Sequence, residues 1–143
     1  MQGRFSNALL YKFPRMSSED TQIWKRFLSQ YGENFTSFDY DFKVGDGVTP
    51  DLPIPEKFLN NFKELTKKRI DALGYNPSGV TIFEVKPRAG TTALGQLLTY
   101  KNLFNKSFPG VNIVALVLVC ELATDEEVQL YQQYGIQVFI LPK

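Results

Sequence analysis

The sequence contains no histidine. That absence excludes Ser-His-Asp and Cys-His catalysis, histidine-ligated metal sites and nucleases whose base is a histidine. There is a single cysteine, Cys120, so no internal disulfide and no cysteine-based zinc site can form. Lying inside an apolar run, this thiol is expected to be buried and free, in keeping with a reducing cytoplasm. No apolar run is long enough to cross a bilayer. The longest, Ile113 to Cys120, is strand-sized, and Met1 to Leu10 lack the apolar stretch of a secretory signal. No internal repeat or low-complexity linker divides the chain, and 143 residues suit one domain spanning 1–143. Hydrolytic chemistry, if present, must rest on carboxylates, lysine, tyrosine or a carboxylate-bound metal.

The near-neutral balance, +1 overall, hides segregation. Residues 1–16 carry +3, residues 17–56 carry −5, residues 57–106 carry +6 and residues 107–143 carry −3. A basic middle segment suits a polyanionic partner. On charge alone a solvated basic face explains it equally well.

Periodicity and turn chemistry give an element order. Ser17 or Ser18 caps a helix running to about Gln30, with Glu19 and Asp20 in its first turn, where acids favour the helix dipole. Ile23, Trp24, Phe27 and Leu28 form its inward stripe, and Gly32 ends it. Residues 35–44 alternate as a half-buried strand, with Phe38, Tyr40, Phe42 and Val44 expected on one face. The Pro- and Gly-containing stretch from Gly45 to Pro55 reads as a loop. A short helix follows from Glu56 to about Thr66, with Phe58, Leu59, Phe62 and Leu65 at helical spacing. Residues 67–75 fit either a continuation of that helix or a strand. The Asn76-Pro77-Ser78-Gly79 turn, followed at once by the strand Val80 to Lys86, favours a hairpin. Pro87 stops the second strand. Thr91 or Thr92 caps a helix to about Asn105, with Leu94, Leu97, Leu98 and Phe104 as its core stripe. Val111 to Val119 has the near-continuous apolar pattern of a strand buried on both faces. Thr124 caps a helix over Asp125 to Tyr134, Gly135 ends it, and Ile136 to Leu141 is the last strand. The order α β α β β α β α β implies an α/β fold, a mixed sheet covered by helices. The closing strand-helix-strand unit is expected to be a right-handed parallel crossover.

Glu84 and Lys86 lie two apart on a strand, so their side chains leave the same face, while Phe83 and Val85 point the other way. A buried carboxylate and ammonium usually come with a partner or a purpose. The hairpin brings Asp71 alongside. Two carboxylates at one point repel, and a divalent cation resolves the repulsion. Mg²⁺ (or Mn²⁺) takes few protein ligands and retains waters, which suits Asp71, Glu84 and a main-chain carbonyl, that of Val85. Such an ion lowers the pKa of a bound water, and Lys86 can orient that water or balance charge on a phosphate. With eight Glu and eleven Lys, a Glu-x-Lys triplet is expected about 0.6 times by chance, so the triplet alone decides nothing. A surface Glu-Lys pair on a sheet edge is the alternative. Context raises the value of the motif: of the three acids in residues 57–106, two are Asp71 and Glu84.

Arg69-Ile70-Asp71, then Phe83-Glu84-Val85-Lys86, then Gln96 and Tyr100 resemble the PD-(D/E)XK nuclease superfamily. The run Glu84-Val85-Lys86-Pro87-Arg88-Ala89-Gly90 is similar to small phage-encoded members. The resemblance covers most of residues 17–141 and implies a restriction-endonuclease-like core. It also implies metal-dependent hydrolysis of DNA, with Asp71, Glu84 and Lys86 catalytic. Gln96 and Tyr100, which share a helix face, would then look toward the metal or the DNA. An acid on the first helix is implied near the metal, with Glu19 the candidate and Asp20 second. A literal Pro-Asp at Pro50-Asp51 makes Asp51 a rival to Asp71. The helix between the first two core strands departs from the superfamily pattern. Lys67, Lys68, Arg69, Arg88, Lys101 and Lys106 flank the motif, and their functional reading is phosphate contact. No segment reads as a base-recognition helix. A second possibility keeps the fold without catalysis, as a DNA-binding or phage assembly and packaging component. The small size leaves room for a homo-oligomer or phage-particle partners. Both readings place the protein in the cytoplasm, that of a host cell if it is phage-encoded.

Overall fold

In the computed structural model of the protein, residues 2–10, 12–47, 55–65 and 67–143 are described. Asp51, the rival ligand, lies outside the described residues, as do the side chains of Phe62 and Leu65. The elements are α1 (Ser18–Tyr31), β1 (Ser37–Val44), α2 (Glu56–Leu65), β2 (Lys68–Asn76), β3 (Gly79–Arg88), α3 (Thr92–Ser107), β4 (Ile113–Leu122), α4 (Asp125–Gln133) and β5 (Ile136–Ile140). This is the order expected from the sequence. No helix among the described residues is long and apolar enough to cross a membrane.

The five strands form one mixed sheet in the order β1-β2-β3-β4-β5. The pairs β1-β2 and β2-β3 are antiparallel, and β3-β4 and β4-β5 are parallel. The β2–β3 hairpin turns where Ser78 N–H donates to Asn76 Oδ1 at 2.9 Å, and Gly79 follows at φ 141. That positive φ explains the glycine. Ser17 caps α1, its Oγ accepting from Asp20 N–H at 3.0 Å. Thr124 and Glu127 form a reciprocal capping box at α4. Thr91 holds the N-cap position of α3, but its side chain makes no capping bond.

Each face of the sheet is covered. On one side α1 lays Ile23, Trp24, Phe27 and Leu28 over Phe38, Tyr40, Ala72, Phe83, Val85, Val117 and Val119. The Trp24 ring meets Phe83 edge-on at 5.0 Å, and its indole N–H donates to the Tyr40 hydroxyl at 3.0 Å. On the other side Ala93, Leu97, Tyr100 and Phe104 of α3 and Tyr131 of α4 cover Ile70, Leu73, Ile82, Leu118 and Cys120. Cys120 is a buried free thiol, as expected, and burial pushes its pKa up to about 11.

One expectation fails in β1. Phe38 and Tyr40 face α1, whereas Phe42 and Val44 belong to the α3 side. Between them Asp41 has φ 52, the left-handed region. That residue interrupts the pleat without shifting the register: Tyr40 stays opposite Ala72 and Phe42 opposite Ile70. Alternation therefore restarts on the other face after Asp41.

Phe83 is fully buried among Trp24, Phe27 and Phe35. Phe83→Ala is expected to lower stability by about 3–5 kcal/mol, the usual cost of a large cavity in an aromatic core. Urea unfolding checks this, with the midpoint falling and the slope unchanged.

Candidate active site

The β2–β3 ladder runs from Asn76↔Gly79 to Ala72↔Phe83 and ends there. Past that pair, residues 84–88 of β3 pair with β4, while Ile70 and Arg69 of β2 pair with β1. The two strands have parted, and the gap is held by a side chain: Asp71 Oδ2 accepts the Val85 N–H at 2.9 Å. A pocket of about 440 Å³ opens at this point. Its lining includes Asp71, Glu84, Val85 and Lys86 from the strands, Ser17 and Asp20 from the start of α1, and Gln96 and Tyr100 from α3. The parting lets both faces of the sheet contribute to one site.

Glu84 is only 2% exposed and lines the same pocket as Asp71. Burial first, then Asp71, holds the Glu84 pKa far above the usual carboxylate range, while Lys86 pulls it down. Asp20 is also raised, by burial first, with Asp71 adding to the effect and Ser17 and Lys86 opposing it. The buried Tyr100 hydroxyl is raised by desolvation and by the charges of Glu84 and Asp71, so it remains a donor. Gln96 Oε1 is buried without a hydrogen-bond partner among the described residues.

These groups fit a divalent cation of a particular kind. No cluster of three acids close enough to hold an ion by themselves occurs among the described residues. Two adjoining carboxyls, with the main-chain carbonyl of Val85 beside them, suit a hard cation that retains several waters, as Mg²⁺ does. Gln96 Oε1 supplies an unused acceptor for such water.

The same lining carries an ion-pair group. Asp41 binds Arg69 through Oδ2 at 2.8 Å and stands 3.6 Å from Arg15 Nε through Oδ1. All three residues line the same pocket. Arg15 and Asp41 are the two non-glycine residues with positive φ among those described, at 58 and 52. Such backbone costs about 1–3 kcal/mol per residue and collects at functional sites.

The structure thus brings Asp71, Glu84, Lys86, Val85, Gln96, Tyr100 and Arg69 to one pocket. Of the first-helix acids it brings Asp20, not Glu19. Asp20 begins the series Asp20, Trp24, Phe27 on the inward stripe, and Glu19 is rotated about a third of a turn away. Lys67, Lys68, Lys101 and Lys106 do not line the pocket, and Arg88 lines a separate depression with Gly90, Thr124 and Glu127. Sequence reasoning missed Arg15 and Asp41. Asp41 occupies the polar step of an alternating strand, and nothing in that pattern marks it as the point of reversal.

No family model matches the sequence, and no curated protein matches it. Among solved structures, the chain is similar to the crystal structure of a repair endonuclease from Pyrococcus abyssi, with a TM-score of 0.51 and 14% sequence identity. The match covers 92% of this chain and 49% of that one, so the chain spans about half the length of its structural neighbour. At that identity the likeness concerns the fold. The protein has a five-stranded mixed sheet flanked by helices, the restriction-endonuclease-like fold.

Proposed function

We propose that this protein is a divalent-metal-dependent nuclease that hydrolyses phosphodiester bonds of DNA. The observation that carries the reading is the convergence of Asp71, Glu84 and Lys86 on one pocket, at the point where the sheet opens. Nothing in the packing of either core requires two acids there, and their mutual repulsion needs either a proton or a cation to relieve it. The likeness to a repair endonuclease and the basic segment 57–106 support the same reading.

In this reading Asp71, Glu84 and the Val85 carbonyl hold Mg²⁺ or Mn²⁺. The bound ion supplies Lewis acidity, lowering the pKa of water and polarising a phosphoryl oxygen. Lys86 leaves the same face of β3 as Glu84. Its ammonium orients the attacking water and offsets the negative charge that grows on the phosphate. Asp20 adds negative potential that draws the cation in. Tyr100 donates its hydroxyl, and Gln96 Oε1 accepts a hydrogen bond from ordered water. Val85 N–H fixes the Asp71 carboxylate through the 2.9 Å bond, so the site is organised before substrate arrives.

Purified protein incubated with labelled linear, nicked, branched and single-stranded DNA is expected to cleave at least one substrate with Mg²⁺ or Mn²⁺, and none with chelator. Asp71→Asn, Glu84→Gln and Lys86→Met are each expected to reduce cleavage by about 100-fold or more. Cleavage that survives in both Asp71→Asn and Lys86→Met would remove the site. Tight, salt-sensitive binding without cleavage by the parent protein would favour an assembly or binding role.

A second expectation concerns stability without metal. A carboxyl whose folded pKa is raised contributes its full stability below the unfolded value of 4.5 and loses it as pH climbs from there. In chelator at neutral pH, Glu84→Gln is therefore expected to melt at a higher temperature than the parent. Added Mg²⁺ or Mn²⁺ should raise the parent's Tm and leave that of Glu84→Gln nearly unchanged. Thermal unfolding followed by circular dichroism distinguishes these outcomes.

A further inference from the structure

We propose that Arg15 and Arg69 form a two-guanidinium clamp for a phosphate next to the scissile one, with Asp41 as the positioning residue that sets them. The proposal rests on the nuclease reading for the identity of the strand, while the clamp itself is argued from the rim of the pocket.

The pocket lining carries both signs: Asp20, Asp41, Asp71 and Glu84 are acidic and Arg15, Arg69 and Lys86 basic, and Arg15, Asp41 and Arg69 form an ion-pair group of net charge +1. Two guanidinium groups present ten N–H donors, and a single carboxylate accepts only a few of them. Asp41 meets Arg69 through Nη1 at 2.8 Å and Arg15 through Nε at 3.6 Å, the second too long for a hydrogen bond. The Arg15 side chain is 63% exposed while that of Arg69 is 23% exposed, so one arm is fixed and the other is free to adjust. A planar guanidinium presents paired donors that match two phosphate oxygens.

The backbone makes the same point independently. Arg15 precedes α1, and Arg69 and Asp41 sit on the adjacent strands β2 and β1. The left-handed conformations at Arg15 and Asp41 occur on this pocket and at no other non-glycine position among the described residues. At Asp41 the reversal comes at the level of Asp71 and turns its carboxylate to both arginines without shifting the strand register. A purely structural ion pair would require neither the reversal nor the second, exposed arginine.

The anion is a phosphodiester of the bound strand, in the same 440 Å³ pocket as the carboxyl pair. The test uses a short duplex in which each linkage in turn is replaced by a neutral methylphosphonate. Binding is measured in chelator, and cleavage with Mg²⁺, for the parent, Arg15→Gln, Arg69→Gln and Asp41→Asn. In the parent, neutralising one linkage beside the cut should weaken binding about tenfold. Arg15→Gln should lose about as much on unmodified DNA, become insensitive to that one methylphosphonate, and show a salt slope smaller by about one. Arg69→Gln should behave alike. Asp41→Asn keeps the side-chain size and the tolerance for positive φ. It should raise KM several-fold with kcat unchanged and keep the parent's salt slope, because no cation is lost.

Arg15→Gln that folds and binds like the parent, or that remains equally sensitive to the same linkage, overturns the clamp alone. A parent that binds DNA without cutting it removes the nuclease reading, and the methylphosphonate series still decides the clamp. A parent that binds no DNA overturns both. Thermal melting of each variant checks folding, and Arg15→Lys, which keeps the charge and loses the paired donors, should recover the salt slope but only part of the affinity.

Discussion

Every backbone N–H that leaves a ladder must find another acceptor or bear the cost of burial without one. Beyond Ala72 and Phe83 the strands β2 and β3 cease to pair, and Val85 would be left with such a donor. Asp71 supplies the acceptor from its side chain. One hydrogen bond thereby stabilises the divergence of two strands, fixes the orientation of an acid and leaves a cavity in the middle of a sheet. The carboxyl of Glu84, the ammonium of Lys86 and the acid of α1 converge there only because the sheet is open at that level. A ladder continued by two more residues would close the gap and separate the faces.

Much of this was legible in the amino-acid order, and for identifiable reasons. The Asn-Pro-Ser-Gly turn and the period-two run after it fixed β3 and its partner, which in turn set Asp71 beside Glu84. The near-continuous apolar β4 announced burial on both faces. Asp20 was legible too, because it heads the inward stripe through Trp24 and Phe27, although the resemblance put Glu19 first and Asp20 second. The reversal in β1 was not legible. A left-handed residue is a property of how a chain is held, and Phe-Asp-Tyr-Asp-Phe reads as simple alternation. Arg15 was hidden for a related reason: its place on the rim depends on the path of an irregular segment before α1, where no period applies.

Charge in this molecule is arranged by sign within one cavity and not spread over a face. The sequence halves suggested a broad basic surface over residues 57–106, yet Lys101 and Lys106 do not line the pocket. What distinguishes the site is charge of both signs in one lining: a buried Glu84 with Asp71 and Asp20, together with Lys86 and two arginines. In a cavity lined in part by Val85, Pro87 and Tyr100 such fields are less screened than on open surface, so placement matters more than number.

Cys120 lies directly across the parallel ladder from Lys86, under α3 and α4, with no exposure to solvent. A buried thiol of raised pKa is inert to alkylating reagents while its strand stays covered. Its reactivity is therefore a clock on the opening of β4, the strand against which the Glu84–Lys86 segment is aligned. Being the only cysteine in the chain, it makes the integrity of that wall readable from a single chemical modification, without any label introduced by design.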